Sequence, residues 1–261
     1  IRYLENFYQV QLFYHAGKKV ELTRAGELLR NSALTFKHDE IYLMRMLQDT
    51  AKNTRNFAFG ATLSVAEFML PPDLERLICA YPQSHIRMEV GNTRELLSKL
   101  DAGELDFAVV EGEFPREEYE FLLYRKEPYV PVASRKKAEQ YRNAEFRELL
   151  SERLILREPG SGTREILERE LRRRGMTTDD FSQITELGNI GAIQAMLRAN
   201  LGISFFYQAT LTDRETQLAP IELKDFSLEH EVMFIFRKNS SFQEDYEEIY
   251  AFLTNRENSQ N

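Results

Sequence analysis

"RLILREPGSGTREILERE", Arg153–Glu170, holds an apolar run, a loop with two glycines and two hydroxyl residues, and a strongly helical segment. A strand that feeds a helix through a short glycine-bearing loop is the repeating unit of α/β folds. Glycine lets a ligand approach the backbone, Ser161 and Thr163 are capping residues, and the N–H groups of a first helical turn carry partial positive charge. The loop therefore serves as a helix cap, an anion cradle, or both. It lacks the Lys-Ser/Thr end of a Walker loop and is not the G-x-G-x-x-G of a dinucleotide fold.

Two further stretches repeat this junction, "ATLSVAE" (Ala61–Glu67) and "ELGNIGA" (Glu186–Ala192). Ligands of open α/β sheets sit outside the carboxyl ends of strands, where such helix starts converge, so three junctions point to a ligand cleft. Between Asn56 and the C-terminus short apolar strands alternate with helices in the manner of parallel βαβ units. Ser64 and Glu67 have capping-box spacing, predicting a helix over Ser64–Ala80. "EFLLYR" and "YVPVAS" read as two strands, and the polar "RKKAEQYRNAEF" breaks the rhythm where the chain crosses into a second lobe.

Upstream the pattern differs. "VQLFYHAGKKVELT" gives two β-like runs around a basic Gly-Lys-Lys tip. From Thr23, a plausible N-cap, to about Arg55, Leu29, Ala33, Phe36, Leu43 and Leu47 return at helical spacing. The small hairpin offers this stripe little to bury against, so a second copy of the helix is its natural partner, with Leu29, Phe36 and Leu43 in the seam.

Composition bounds the function. The 261 residues, 43% hydrophobic and 29% charged, describe a soluble globular chain without a membrane-spanning run. Net charge is −8, but residues 1–56 carry nine basic and six acidic side chains, a balance of +3 that leaves −11 on the remainder. A basic head on an acidic body indicates divided labour. The single cysteine, Cys79, lies in an apolar helical context and reads as a buried, inert thiol suited to a reducing cytoplasm. His15, His38, His85 and His230 are scattered, so neither a metal site nor a cofactor is expected. Asp101, Asp106, Glu111 and Glu113 read as exposed loop carboxylates, and no catalytic signature appears.

Together these stretches resemble the LysR-type transcriptional regulators of bacteria. "IRYLEN", the hairpin and "RAGELLR" are similar to that family's recognition-helix end, wing and linker helix; "ATLSVAEFMLPPDLERLICAYP", "LDAGELDFAVVEG" and "REPGSGTR…LGNIGAIQAMLRANLGIS" are similar to its effector-binding domain. The resemblance implies an α/β chain: a partial winged helix-turn-helix over 1–22, a linker and dimerisation helix over 23–56, and a two-lobed periplasmic-binding-protein-like domain over 57–261. Lobe I would span about 57–131 and 234–261, and lobe II about 132–233. The opening at Ile1 looks internal, with the first half of the DNA-binding domain expected upstream.

The resemblance also implies roles. Arg2 would end the recognition helix, while Lys18 and Lys19 would meet phosphates or the minor groove of promoter DNA. Thr62, Ser64, Ser161, Gly162, Thr163 and Asn189 would contact a small, anionic effector. Gln9 stands where the family usually has Gly, and His15 where Arg is common; Pro128 and Pro131 replace its usual His-Pro pattern. The protein implied is a cytoplasmic homodimer or homotetramer with no membrane partner and no enzymatic role. A solute-binding protein would share the cleft but not the first 55 residues, and an enzyme on this fold would need acid–base or cofactor groups that "ATLS", "GSGT" and "LGN" lack.

Overall fold

The computed structural model describes residues 1–17, 19–211 and 216–254. Helix α1 (Arg2–Tyr8) ends at Gln9, whose φ of 53° and ψ of 36° are left-handed. Glutamine thus takes a conformation that glycine adopts at lower cost. Strands β1 (Phe13–Ala16) and β2 (Lys19–Leu22) form an antiparallel hairpin; Lys18 lies outside the described residues.

Thr23 is the expected N-cap, accepting from Gly26 N at 3.0 Å, and opens helix α2 (Arg24–Lys52). Gly26 is required there, because a Cβ would stand 2.1 Å from the Leu12 carbonyl oxygen. The helix stops at Lys52 rather than near Arg55, because Asn53 turns left-handed. Its two faces differ. Leu28, Phe36, Leu43, Met44 and Leu47 are exposed, Phe36 at 72%, while Leu29 is half-buried. The opposite face docks on the rest of the chain through polar bonds: Thr35 to the Lys238 carbonyl, His38 to the Leu105 carbonyl, and Asp39 to Ser240 and Ser241 N.

Next come β3 (Phe57–Ala61), α3 (Leu63–Phe68), α4 (Pro71–Ala80), β4 (Ile86–Val90), α5 (Thr93–Ala102) and β5 (Phe107–Val110). They are followed by β6 (Tyr119–Ser134), α6 (Arg135–Gln140), β7 (Arg153–Leu156), α7 (Gly162–Arg173), β8 (Gln183–Glu186), α8 (Ile190–Arg198) and β9 (Ser204–Tyr207). Strands β10 (Leu218–Pro220) and β11 (Glu229–Arg237) and helix α9 (Gln243–Thr254) complete the described elements. The main sheet runs β10-β6-β11-β5-β3-β4, with β9 also on β6. Pairing is parallel for β3 with β4 and β5 and for β7 with β8; the pairs made by β6 and β11 are antiparallel, so the sheet is mixed rather than purely parallel. Residues Tyr119–Pro128 of β6 pair with β11, and its far end pairs with β9 and β10.

Four expectations change. "EFLLYR" and "YVPVAS" are one continuous strand, and the polar stretch after them begins with a helix, α6. The single helix over Ser64–Ala80 is two, because Pro71 and Pro72 lack the N–H groups a continuing ladder needs and sit in the first turn of a new helix. Thr62, not Ser64, is the N-cap residue of α3, and no capping box forms. Cys79 is exposed: Leu77 takes the buried face of α4, leaving Ile78 and Cys79 outward.

Asp106 is also not an exposed loop carboxylate. It is buried, pairs with Arg45 from α2 and accepts from Ala58 N at 2.9 Å. Burial pushes its carboxyl above the usual range, opposed first by Arg45. Removing one partner of such a pair strands the other charge. Arg45→Met is therefore expected to lower unfolding free energy in urea by roughly 3 kcal/mol, with Asp106→Asn in the same chain recovering part of it; equal midpoints for wild type and Arg45→Met would show the pair to be solvated.

Candidate functional site

The neighbouring strands β3 and β5 end side by side, so the residues just beyond them share one edge of the sheet. Thr62 and Ser64 follow β3, and Glu111 follows β5. All three are buried, and Thr62 Oγ1, Ser64 Oγ and Glu111 Oε2 have no hydrogen-bond partner. Buried polar atoms normally find one, so this grouping needs an explanation.

The facing wall comes from β7 and the loop into α7. Ser161 is the N-cap residue, but its hydroxyl makes no cap bond and instead meets Thr163 Oγ1 at 2.9 Å. The first-turn N–H groups of α7 are thus left without a side-chain cap. Tyr129 from the long strand fixes this helix start, its hydroxyl donating to the Thr163 carbonyl at 2.7 Å. Gly162 abuts Glu111 so closely that a Cβ would lie 3.0 Å from Glu111 Cγ and 3.1 Å from Oε1. Between the walls is a cavity of about 320 Å³ bordered by Thr62, Glu111, Arg157, Glu158, Ser161 and Gly162 among others. Arg157 is itself buried and grips the Glu158 carboxylate with two bonds of 2.7 Å.

The fold therefore brings Thr62, Ser161 and Gly162 to one cavity and buries Ser64 and Thr163 beside it. Asn189 stands apart: it is exposed and caps α8, accepting from Ala192 N at 2.9 Å. A larger open cleft of about 760 Å³ on the outer side of α7 is lined by His230, Arg169 and several glutamates, with none of the unpartnered buried atoms. There Tyr207 and Arg169 hold His230, whose pKa falls to about 4 through burial and then the Arg169 charge. At the N-terminal end Arg2 lies on α1 and Lys19 is exposed on β2. Among the described residues no grouping of His, Cys, Asp and Glu could hold a metal.

Sequence reasoning misread Glu111 as an exposed loop carboxylate. The signal lay in "FAVVEG": an acid directly after a fully apolar strand stands at the strand's carboxyl end, where lobes face each other. Burial pushes its pKa up to about 7; the Arg157 guanidinium acts in the opposite direction, followed by the nearby Tyr207 and Ser64 hydroxyls, the latter outside hydrogen-bond geometry. A carboxyl raised from 4.5 to about 7 binds its proton more tightly in the folded state, so its contribution to stability is lost as pH rises through that window. Wild type should thus lose stability relative to Glu111→Gln between those pH values, and a constant difference in urea midpoint would show the carboxyl to be hydrated. Gly162→Ala should lower the melting temperature by crowding Glu111, at a cost of roughly 1–3 kcal/mol. Combining it with Glu111→Ala should relieve the strain; additive losses would break the contact argument.

Comparison with known proteins agrees with this architecture. Residues 51–257 match the family model described as the LysR substrate binding domain. The HTH-type transcriptional regulator CysL of Bacillus subtilis (strain 168) is 25% identical over 268 residues, covering 97% of this chain and 84% of CysL. The uncharacterized HTH-type transcriptional regulator YeiE of Escherichia coli (strain K12) is 27% identical over 211 residues, 81% of this chain and 70% of YeiE. The Synechocystis PCC6803 CcmR regulatory domain, solved in complex with 2-PG, superposes with a TM-score of 0.67 at 22% identity, covering 79% of this chain and 99% of that one. An H2O2-bound OxyR mutant from Corynebacterium glutamicum gives 0.68 at 21% identity over 98% of this chain and 81% of its own. A short helix and hairpin, a long linker helix and a two-lobed effector-binding domain thus follow one another here, and the chain belongs to the LysR family of transcriptional regulators.

Proposed function

We propose that this regulator senses a small anionic effector held between its lobes at the start of α7, and that occupancy alters how paired subunits present their DNA-binding heads. The observation that carries the reading is the set of three buried, unpartnered polar atoms on Thr62, Ser64 and Glu111, facing a helix start with no side-chain cap. Ligand groups would satisfy both. Thr62, Ser161, Gly162 and Thr163, with Ser64 beside them, are the contacts assigned; Asn189 is assigned to capping first. The 2-PG bound by the CcmR domain is an anion, which supports the same chemistry here.

Domain limits follow this division of labour: 1–22 for the DNA-binding region, 23–56 for the linker helix and 57–261 for the effector domain. Arg2, Lys18 and Lys19 are assigned to DNA, and Leu29, Phe36 and Leu43 to a homodimer seam, supported by the exposed apolar face of α2. Pairing of dimers into tetramers is the family-level extension of that seam. The reading as a regulator without enzymatic activity rests on relatives that are transcriptional regulators. A cytoplasmic location fits that work, and no described helix is long and apolar enough to cross a membrane.

Three measurements test this. In the wild-type chain, 2-PG or simple dicarboxylates should raise the melting temperature by mass action, and Thr62→Ala should diminish the gain; stabilisation equal in both would move the site elsewhere. Phe36→Lys with Leu43→Lys should halve the particle mass seen by light scattering, since unpaired charge is costly to bury; an unchanged mass refutes the seam. In the full-length protein, Lys18→Ala and Lys19→Ala should weaken specific and random DNA alike and reduce the salt slope by roughly one per contact. A loss confined to one base position would make the lysines base readers.

A further inference from the structure

In its ionised form Glu111 sets a requirement that an anion alone does not meet. Its carboxyl is buried at the cavity wall, Oε2 is unpartnered, and Oε1 lies 3.1 Å from where a Gly162 Cβ would stand, at the first turn of α7. The cavity lining includes three carboxylates, on Glu95, Glu111 and Glu158, but its one cation, Arg157, is already committed to Glu158. Once ionised, as it is above the value of about 7 to which burial raises it, Glu111 would be pressed against the charge of a purely anionic ligand placed on the α7 N–H groups, in a poorly screened space. A ligand that also carries a positive, hydrogen-donating group converts that repulsion into a pair.

The two features are close together, so the ligand's two charges must be close together as well. An ammonium and a carboxylate on the same carbon have this separation; an ammonium at the far end of a long chain does not. We infer that the effector carries an α-amino-acid group, its carboxylate received by the α7 start and its ammonium by Glu111. This rests on the effector-cleft reading above and narrows it. Thr62 and Ser64 hydroxyls supply the remaining donors and acceptors on the lobe I side, and Gly162 is the residue that admits both ligand and Glu111.

The test is a thermal-shift titration of the 261-residue chain with the proteinogenic α-amino acids, each beside its 2-hydroxy-acid counterpart, and with 2-PG. At least one amino acid should raise the melting temperature while its hydroxy counterpart fails at the same concentration. Glu111→Gln, nearly isosteric and checked for an intact melt without ligand, should weaken that amino acid by about tenfold or more, as loss of a charged hydrogen bond predicts; Glu111→Asp should retain the preference for the amine. If hydroxy acids or 2-PG stabilise as well as amino acids, and Glu111→Gln leaves them unaffected, the cleft stands and the role of Glu111 is overturned. If only 2-PG or hydroxy acids bind, the amino-acid assignment falls alone. If no compound of any series shifts the melt, both this inference and the anion reading fall.

Discussion

Everything in the effector domain hangs on the backbone hydrogen bonds of one strand. Tyr119–Ser134 runs unbroken, pairing first with Glu229–Arg237 and then with Ser204–Tyr207 and Leu218–Pro220. Because consecutive peptide groups of the same strand serve partners in both lobes, the lobes share a single sheet. Pro128 and Pro131, which cannot donate, sit where the strand changes partners, and proline is tolerated at such irregular points. Tyr129, in the same short stretch, reaches from the strand to the start of α7.

That geometry makes the cleft a place of unmatched polar groups. Strand ends from lobe I carry Thr62, Ser64 and Glu111 inward, and the loop from lobe II presents a helix start whose serine has turned to a neighbouring threonine. Polar groups left this way lower stability unless something completes them. A binding domain has reason to keep such groups, since a ligand that satisfies them gains what the empty fold forgoes.

The reading of the sequence succeeded where the controlling physics is local. Thr23 caps its helix, and the strand-to-helix junctions fall where the glycines and hydroxyls stand. It failed where burial is decided by distant parts of the chain. Asp106 and Glu111 stand beside turns in sequence, yet α2 covers one and the facing lobe covers the other. Cys79 lies among apolar residues that suggest a core, but only one face of α4, that of Asp73 and Leu77, is buried. Within "FMLPPDL" the prolines carried a local signal for a break that the apolar periodicity on either side obscured.

The polar docking of α2 has a mechanical consequence. Its contacts begin at Arg30 and Asn31, so only a short stub of helix, on the order of 10 Å at 1.5 Å per residue, separates the dock from Thr23 and the hairpin. A helix that short behaves as a stiff spoke, and a rotation of lobe I reaches the hairpin as nearly the same rotation. Bonds with defined directions, such as those from Ser240 and Ser241 N to Asp39, resist slippage of the spoke more than a greasy contact would. The hairpin is thus geared to lobe I of its own chain, and a rotation of one carries the other with it.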